Sequence, residues 1–268
     1  MRETADRVRR FSFDGETHDV PIAELPPIGT NPLVSIVLTA YRRSEQLRRT
    51  MESLAGQTYE NTELIVVEAD SDEGSTKKVA ADFGARYFRR KNISDRRTAV
   101  TNNIGIRNAR GEIIVLQCAE CRHQSNDTIE RLVAPIIEDP TLSTFPMVID
   151  LDKFGNGRGW KFHPATHPNC FITFCQAFSR AAIFAVGGFD ERYVGWGYED
   201  NDAAFRLQRS GVMCVSVPVV VAHQWHEPPP RTELSTCGEY YAARHAAIRN
   251  GAESFVANEG ARWGDEDS

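Results

Sequence analysis

Short apolar runs alternate along the chain with segments whose apolar residues recur every three or four positions. Three β-branched runs lack the polar alternation of a half-exposed strand, which is typical of strands buried on both faces in a parallel sheet. These runs are residues 33–40, 63–69 and 112–118. After the first run, Leu47, Met51 and Leu54 share one helical face, with Ser44 as a possible cap and Gly56 as a possible end. The pattern therefore predicts right-handed βαβ units in an α/β sheet.

The rest of the chain sets the expected domain limits. The stretch 152–169 is polar and glycine-rich without periodicity, and we expect a long mobile loop there, near the ligand edge. The apolar run 212–223 predicts a further strand. We expect one α/β domain over 32–226, a polar N-terminal extension over 1–31 and a helical tail over 227–268.

Composition narrows the class of protein. The 268 residues are 41% hydrophobic and 25% charged, as in ordinary globular proteins. The longest apolar stretch, 212–222, contains Pro218 and is about half of the ~20 residues that a membrane-spanning helix needs. No apolar segment follows the basic residues at the start, so we expect no secretory signal and a cytoplasmic location. A net charge of −6 argues against binding nucleic acid or membranes mainly by charge.

Polar and acidic residues follow each of the three predicted strands, in the stretches 39–43, 68–75 and 118–123. In open α/β sheets, ligands bind beyond the carboxyl ends of the strands. The sequence therefore predicts a ligand site where these three stretches meet.

The third stretch contains a Cys-x-x-Cys pair, Cys118 and Cys121. This spacing leaves open a thiolate metal site or a redox pair. A structural zinc site normally needs a second such pair, and Cys170 and Cys175 are separated by four residues, most of them apolar. His123 lies two residues after Cys121, so the heme-attachment spacing is not met. Zinc analysis and thiol counting would decide this alternative.

An acidic cluster opens a second predicted helix, which Gly211 can end. In the stretch "GWGYEDND", Glu199, Asp200 and Asp202 form the first turn of this predicted helix. Helix N-termini stabilise carboxylates, which gives the cluster a purely structural explanation. The glycines on either side of Trp196 allow close approach of a ligand, and an indole face can pack against a sugar ring. The same cluster is therefore also a candidate sugar site.

Two long segments resemble a known family. "LVSIVLTAYRRSEQLRRTMESLAGQTYENTELIVVEADSDEGS" resembles the opening of family-2 glycosyltransferases with the GT-A fold. "AFSRAAIFAVGGFDERYVGWGYEDNDAAFRLQRSG" resembles the carboxyl half that this family shares with the β-1,4-galactosyltransferase group. The resemblance covers roughly 32–226 and implies a single domain with a mixed, mostly parallel sheet flanked by helices.

The resemblance implies a nucleotide-sugar donor site. Thr39 and Tyr41 match positions that contact the base and ribose, and Arg97 matches a basic residue that contacts the nucleotide. The family usually has two adjacent aspartates after the second strand, where this chain has Glu68 followed by alanine. Glu68 or Asp70 is then the candidate for the contact with the base.

The resemblance also implies a metal. Cys118-Ala119-Glu120 stands where the family has Asp-x-Asp, so Glu120 matches the carboxylate that holds a divalent ion and Cys118 matches a residue facing the donor. His223 matches a metal-binding histidine, with His226 as its competitor. A diphosphate needs a hard cation, Mn²⁺ or Mg²⁺, which prefers oxygen to thiolate, and Mn²⁺ accepts an imidazole more readily.

The implied reaction is an inverting hexosyl transfer. Asp200 matches the family's catalytic base, Trp196, Gly197 and Glu199 would bind acceptor or sugar, and Asp202 would cap the helix or orient a neighbour. The donor is expected to be UDP with a galactose- or glucose-type sugar. The acceptor is a glycan, a lipid-linked sugar, a protein or a modified nucleobase, and the oligomeric state is not predicted. The alternative is a nucleotide-sugar-binding protein of the same fold that has lost turnover.

Overall fold

A computed structural model describes residues 8–13, 16–69, 74–90, 97–165, 174–195, 197–227 and 234–267. The strands in these residues are β1 (Val8–Phe13), β2 (Glu16–Pro21), β3 (Val34–Ala40), β4 (Thr62–Glu68), β5 (Arg86–Arg89), β6 (Ile113–Cys118), β7 (Cys121–His123), β8 (Leu142–Leu151), β9 (Gly157–Phe162), β10 (Cys175–Ser179) and β11 (Met213–His223). The helices are α1 (Ser44–Ala55), α2 (Ser75–Asp82), α3 (Thr98–Asn108), α4 (Thr128–Glu138), α5 (Arg180–Ala185), α6 (Glu199–Arg209) and α7 (Leu234–Arg249).

A nine-stranded mixed sheet forms the centre of the fold, in the order β5-β4-β3-β6-β10-β8-β11-β7, with β9 beside β8. The four strands β5, β4, β3 and β6 are parallel. β10 runs antiparallel to β6 and β8, β11 is parallel to β8, and β7 and β9 are antiparallel edge additions. The predicted α/β class and its mostly parallel sheet are confirmed, and the first three predicted strands are β3, β4 and β6.

Apolar layers cover both faces of the sheet, which explains why β3 reads as an unbroken apolar run. Ile36 and Leu38 belong to one buried cluster with residues of α1, α2 and α4. Val37, between them in sequence, belongs to the other cluster with residues of α3, α5 and α6. Successive side chains of a strand point to opposite faces, so a strand covered on both sides buries both sets of side chains, and most of its residues are apolar.

The N-terminal residues form a two-stranded hairpin, β1–β2. Arg9 ties it to the main body by donating to the carbonyl oxygens of Thr141, at 2.7 Å, and Gly211, at 3.0 Å. Gly211 follows α6 with a φ of 89°, and a Cβ there would lie 2.1 Å from the carbonyl oxygen of Pro21 in β2. The predicted helix end at Gly211 therefore also serves as the place where the hairpin backbone approaches the domain.

Residues of the tail beyond β11 pack into the same interior. Trp263 is 8% exposed and belongs to the apolar cluster that contains Val37 and Ile104. Arg244 of α7 is also buried, with its Nε 2.8 Å from Asp190 Oδ2. The described part of the tail thus contributes both apolar and charged groups to the core. The domain limits at 32 and 226 remain predictions.

Two local expectations were wrong. Part of the predicted mobile loop 152–169 is strand β9, which pairs with β8 because Phe162 is buried and meets Phe145 edge-to-face with ring centroids 5.2 Å apart. Residues 166–169 of that stretch lie outside the described residues. Ser44 is the first residue of α1 rather than its cap; Arg43 takes the N-cap position without a side-chain capping bond. Among the described helices, none is long and apolar enough to cross a membrane.

Candidate functional site

The carboxyl ends of β3, β4 and β6 lie side by side, as expected for a ligand edge. Thr39 is in register with Cys118 of β6, and Ala40 is in register with Glu68 of β4. The backbone continues this alignment beyond the strands, because the N–H of Ala119 donates to the carbonyl oxygen of Thr39 at 2.9 Å. The structure thus brings together Thr39, Glu68 and Cys118 at the ends of the three central strands, whereas residues 70–73 of the second predicted stretch lie outside the described residues.

Glu68 is directed into the protein. Its side chain is 1% exposed and accepts a hydrogen bond from the hydroxyl of Tyr87 on β5. A contact between Glu68 and a nucleotide base, as predicted from the sequence, would require this arrangement to change. Tyr41 lies just past the end of β3, with the guanidinium of Arg42 5.5 Å from the centre of its ring. Asp70 lies outside the described residues.

Glu120 occupies the turn between β6 and β7 and faces two basic side chains. Its Oε1 is 3.1 Å from Nε of Arg43 and 3.8 Å from Nε2 of His226. The Glu120 side chain is 12% exposed. The N–H of Gln224 donates to the carbonyl oxygen of Glu120 at 3.0 Å, which fixes the turn to the end of β11. Sequence reasoning missed Arg43, because the paired basic residues 42 and 43 follow a strand without any pattern that distinguishes one from the other.

His223 ends β11 in a separate polar cluster next to this turn. Its Nδ1 lies 3.3 Å from Oδ1 of Asp150 and 3.2 Å from Nζ of Lys161, and its ring centre is 5.2 Å from that of His226. Burial, reinforced by the charge of Lys161, lowers the pKa of His223 to about 3. The imidazole is therefore neutral at physiological pH. Asp150 and Lys161 also escaped sequence reasoning, since they meet His223 only through the pairing of β8 with β9 and β11.

These side chains fit part of a metal site. A carboxylate oxygen and a neutral imidazole nitrogen are ligand types that Mn²⁺ accepts. Of the two candidate histidines, His226 has a ring nitrogen within 4 Å of Glu120, whereas His223 faces Asp150. Across the described residues, no group of three or more His, Cys, Asp or Glu side chains is arranged to hold a metal ion. An ion bound here would take its other ligands from a diphosphate and water.

The cysteine pair gives little support to a thiolate metal site. The sulfurs of Cys118 and Cys121 are 3.3 Å apart, and Cys118 Sγ is 3.6 Å from the carbonyl oxygen of Phe174. Burial raises the pKa of Cys121 well above its ordinary value. Thiolates rather than thiols attack disulfides, so a buried protonated Cys121 is a poor nucleophile. Within the described residues, the two cysteines have no third His, Cys, Asp or Glu arranged with them to hold a metal ion.

The acidic cluster begins α6. Tyr198 precedes the helix in the left-handed conformation with a φ of 69°, and Gly197 precedes it with a φ of 99°. Glu199 is 7% exposed, and burial followed by the negative charge of Asp200 raises the pKa of Glu199 to about 8. Asp200 is half-buried and accepts a hydrogen bond at 2.8 Å from the N–H of Asn201. Trp196 lies outside the described residues.

The start of α3 contacts the chain segment that leads into this cluster. The N–H of Thr98 donates to the carbonyl oxygen of Gly195 at 3.3 Å, and Nη1 of Arg97 donates to the carbonyl oxygen of Glu191 at 3.4 Å. The chain segment that leads into α6 therefore touches the residue predicted to contact the nucleotide.

Asp202 has a structural role one turn further into α6. It is fully buried, with Oδ2 2.6 Å from Nε of Arg206 and Oδ1 3.4 Å from Nε2 of His245 in α7. Burial alone would raise the pKa of Asp202, but the charge of Arg206 and the contact with His245 lower it. Asp202 thus orients neighbouring groups, one of the two roles expected for it, and joins α6 to α7.

The mixed sheet, its polar carboxyl edge and the acidic start of α6 have the arrangement of the GT-A fold that the sequence resemblance predicts. The model of glycosyl transferase family 2 matches residues 35–189, and that of the N-terminal domain of galactosyltransferase matches residues 160–227. The first match covers more than half of the chain, which therefore belongs to glycosyl transferase family 2.

Relatives and solved structures agree with this assignment. A chondroitin synthase from Escherichia coli is 24% identical over 250 residues, which are 76% of this chain and 36% of the synthase. GalNAc-T7, solved with UDP, GalNAc and Mn²⁺, has a TM-score of 0.61 at 18% identity, covering 84% of this chain and 52% of that one. A mannosyltransferase from Pyrobaculum calidifontis, in complex with GDP-Man and Mn²⁺, has a TM-score of 0.58 at 19% identity, covering 87% and 68%.

The curated relatives are longer than this chain. The chain spans 12% to 38% of the length of eight such relatives. The two solved structures are below 25% identity and establish the fold.

Proposed function

We propose that this chain transfers a sugar from a nucleotide-diphosphate donor to an acceptor hydroxyl, with inversion at the anomeric carbon. The observation that carries the proposal is the match of glycosyl transferase family 2 to residues 35–189, together with the adjacent carboxyl groups of Glu199 and Asp200 at the start of α6. Burial and the charge of Asp200 raise the pKa of Glu199, and a carboxyl group with a raised pKa beside a second carboxyl group is typical of acid–base sites.

Asp200 is the proposed base. The acceptor hydroxyl must lose its proton as its oxygen attacks the anomeric carbon, and a carboxylate within hydrogen-bond reach can take that proton. Attack from the face opposite the leaving diphosphate inverts the anomeric configuration. Glu199, protonated at neutral pH, can donate a hydrogen bond to a sugar hydroxyl. Gly197 leaves room for a sugar ring beside Trp196, the proposed stacking residue.

The donor would lie along the carboxyl edge of β3, β4 and β6. The register of these strands supports this assignment, since it aligns Thr39 with Cys118 and Ala40 with Glu68 at one edge of the sheet. The proposed donor-binding residues are Thr39, Tyr41, Glu68, Asp70, Arg97, Cys118 and Glu120.

A divalent cation, Mn²⁺ or Mg²⁺, is the proposed cofactor. When bound, it would act as a Lewis acid that stabilises negative charge on the departing diphosphate. Glu120 would hold it together with His226 or His223. The contact of 3.8 Å between Glu120 and His226 favours His226. If His223 were the ligand, Asp150 would orient the ring through a contact with Nδ1 of His223, and Nε2 of His223 would be the nitrogen that binds the cation.

The proposed donor is a UDP-hexose of galactose or glucose type. The UDP bound in the GalNAc-T7 structure supports this choice of donor. The GDP-Man bound in the mannosyltransferase structure makes a GDP-sugar the main alternative donor. Proposed acceptors are a glycan, a lipid-linked sugar, a protein or a modified nucleobase.

A thermal-shift screen of nucleotide sugars with and without Mn²⁺ tests the donor and the metal together. We expect stabilisation by a UDP-hexose only when Mn²⁺ is present. The same donor should be hydrolysed slowly by the wild-type protein. Asp200→Asn should keep donor binding and lower the rate by about 10²–10⁴-fold. Stabilisation by none of the donors would contradict the proposal.

A nucleotide-sugar-binding protein without turnover is the second candidate. The burial of Glu68 against Tyr87 and the cysteine at position 118 favour it, because both differ from the family pattern at donor contacts. Binding of one donor without hydrolysis or transfer over a broad acceptor panel would establish this function instead.

A further inference from the structure

Arg43 contacts both of the side chains that are best placed to bind a divalent cation. Its Nε lies 3.1 Å from Oε1 of Glu120, and its Nη2 lies 3.0 Å from Nδ1 of His226. Nη2 is also 3.2 Å from the carbonyl oxygen of Glu227, and Nη1 is 3.0 Å from that of Arg42. The Arg43 and Glu120 side chains are 16% and 12% exposed, so water screens this pair only partly.

The contact of Arg43 with Glu120 uses a carboxylate oxygen that a metal ion would also use. A guanidinium only donates hydrogen bonds, so Oε1 of Glu120 presents a lone pair to Arg43. Coordination of a hard cation requires the same deprotonated carboxylate. The contact with His226 is at Nδ1, whereas Nε2 of that ring faces Glu120. Arg43 and a divalent cation therefore compete for Oε1 of Glu120, and two positive charges on one carboxylate repel each other.

We propose that Arg43 is a built-in counter-ion of the metal site, which competes with the divalent cation for Glu120 and is released to the donor diphosphate when the cation binds. The proposal rests on the proposed function only for its last step. The planar guanidinium matches two phosphate oxygens as well as it matches a carboxylate, so a diphosphate gives the displaced Arg43 a new partner. Metal and nucleotide diphosphate then bind with positive coupling, each strengthening the other.

Direct Mn²⁺ binding, followed by electron paramagnetic resonance of the free ion, tests the competition without any donor. Arg43→Gln should raise Mn²⁺ affinity on the order of tenfold, a size typical of coupling between sites. Arg42→Gln removes the same charge one residue away, and its Mn²⁺ affinity should stay within about twofold of the wild type, because its guanidinium lies over Tyr41 rather than on Glu120. Glu120→Gln in the Arg43→Gln background should remove the gain.

Adding UDP or GDP tests the release step. In the wild type, nucleotide diphosphate should tighten Mn²⁺ binding more strongly than it does in Arg43→Gln. Arg43→Lys keeps the charge without the planar fork, so its Mn²⁺ affinity should fall between those of the wild type and Arg43→Gln. It also replaces Arg43→Gln if the latter does not fold.

Each outcome decides the proposal. Equal or weaker Mn²⁺ binding by Arg43→Gln overturns the competition, as does the same gain in Arg42→Gln. Equal coupling to nucleotide in the wild type and Arg43→Gln overturns the release step. If no nucleotide sugar is a substrate, the proposed function fails, but the comparison of Mn²⁺ affinities still decides whether Arg43 competes with the cation.

Discussion

The Nε of Arg206 lies 2.6 Å from Oδ2 of Asp202, and neither side chain is exposed to solvent. Removing one member of a buried ion pair leaves an uncompensated charge, which costs about 3–5 kcal/mol. We expect Asp202→Ala to lower the free energy of unfolding by about this amount in urea denaturation. Asp200 is two residues away and half-buried, and Asp200→Asn should change stability by about 0.5 kcal/mol or less. Comparable losses in the two variants would contradict the separation of a structural acid from a catalytic one.

The protonation of Glu199 predicts a pH-dependent stability. Its pKa is raised from 4.5 to about 8 in the folded protein, chiefly by burial. Below the unfolded pKa, both states are protonated and the folded state is not penalised. As pH rises towards 8, the unfolded chain loses this proton before the folded protein does, so stability falls. Glu199→Gln removes this dependence.

The Tm difference between Glu199→Gln and the wild type measures this effect. It should be small at pH 4.5 and grow in favour of the variant up to pH 8.5. The variant Asp200→Asn also removes one negative charge from this turn but keeps Glu199, so its stability should still fall as pH rises, by less than in the wild type because the charge of Asp200 adds to the shift of Glu199. A Tm difference that stays constant from pH 4.5 to 8.5 would show that Glu199 is ionised in the folded protein.

Cys118 ends β6 and Glu120 lies in the turn that follows it, but the two residues should contribute very differently to donor binding. Glu120→Ala removes the carboxylate proposed to hold the cation and should abolish the Mn²⁺-dependent part of donor affinity, measured by titration calorimetry. Cys118→Ser keeps the size of the side chain and should retain most of it, because a hard cation does not need the sulfur. Loss of binding in Cys118→Ser with tightly bound zinc in the wild type would favour the thiolate alternative.

Sequence reasoning reached the fold through residues whose environment is set locally. Ile36, Val37 and Leu38 face alternate apolar layers, so their unbroken run predicted a doubly covered strand. The stretches after β3, β4 and β6 could be placed together because parallel strands end at a common edge. Strand β9 was missed since its glycines hide the pattern, and Phe162 is buried only through its contact with Phe145 on β8.

The arrangement of the site depends on side chains that are distant in sequence, and these could not be predicted. Arg43 meets His226 across 183 residues, and Lys161 meets His223 across 62. No local sequence pattern indicates such contacts. Arg42 and Arg43 both follow β3, and nothing in the neighbouring sequence shows which of them reaches Glu120 and His226. Likewise, "YEDND" does not reveal that Asp202 points inward to α7 while Asp200 remains partly accessible. Which acid is structural follows only from the packing of α7.

That packing also predicts that the tail after β11 is needed for a stable fold. Trp263 is 8% exposed and lies against Phe184 of α5, with ring centroids 5.2 Å apart. Truncating a buried tryptophan costs about 3–5 kcal/mol, and we expect Trp263→Ala to lower the free energy of unfolding by this amount. Trp225→Ala is the matched control, since that residue is 38% exposed and its removal should cost far less. If Trp263→Ala unfolds at the same urea concentration as the wild type, residues 234–267 are not part of the cooperative unit, and a tail that folds separately becomes the better description.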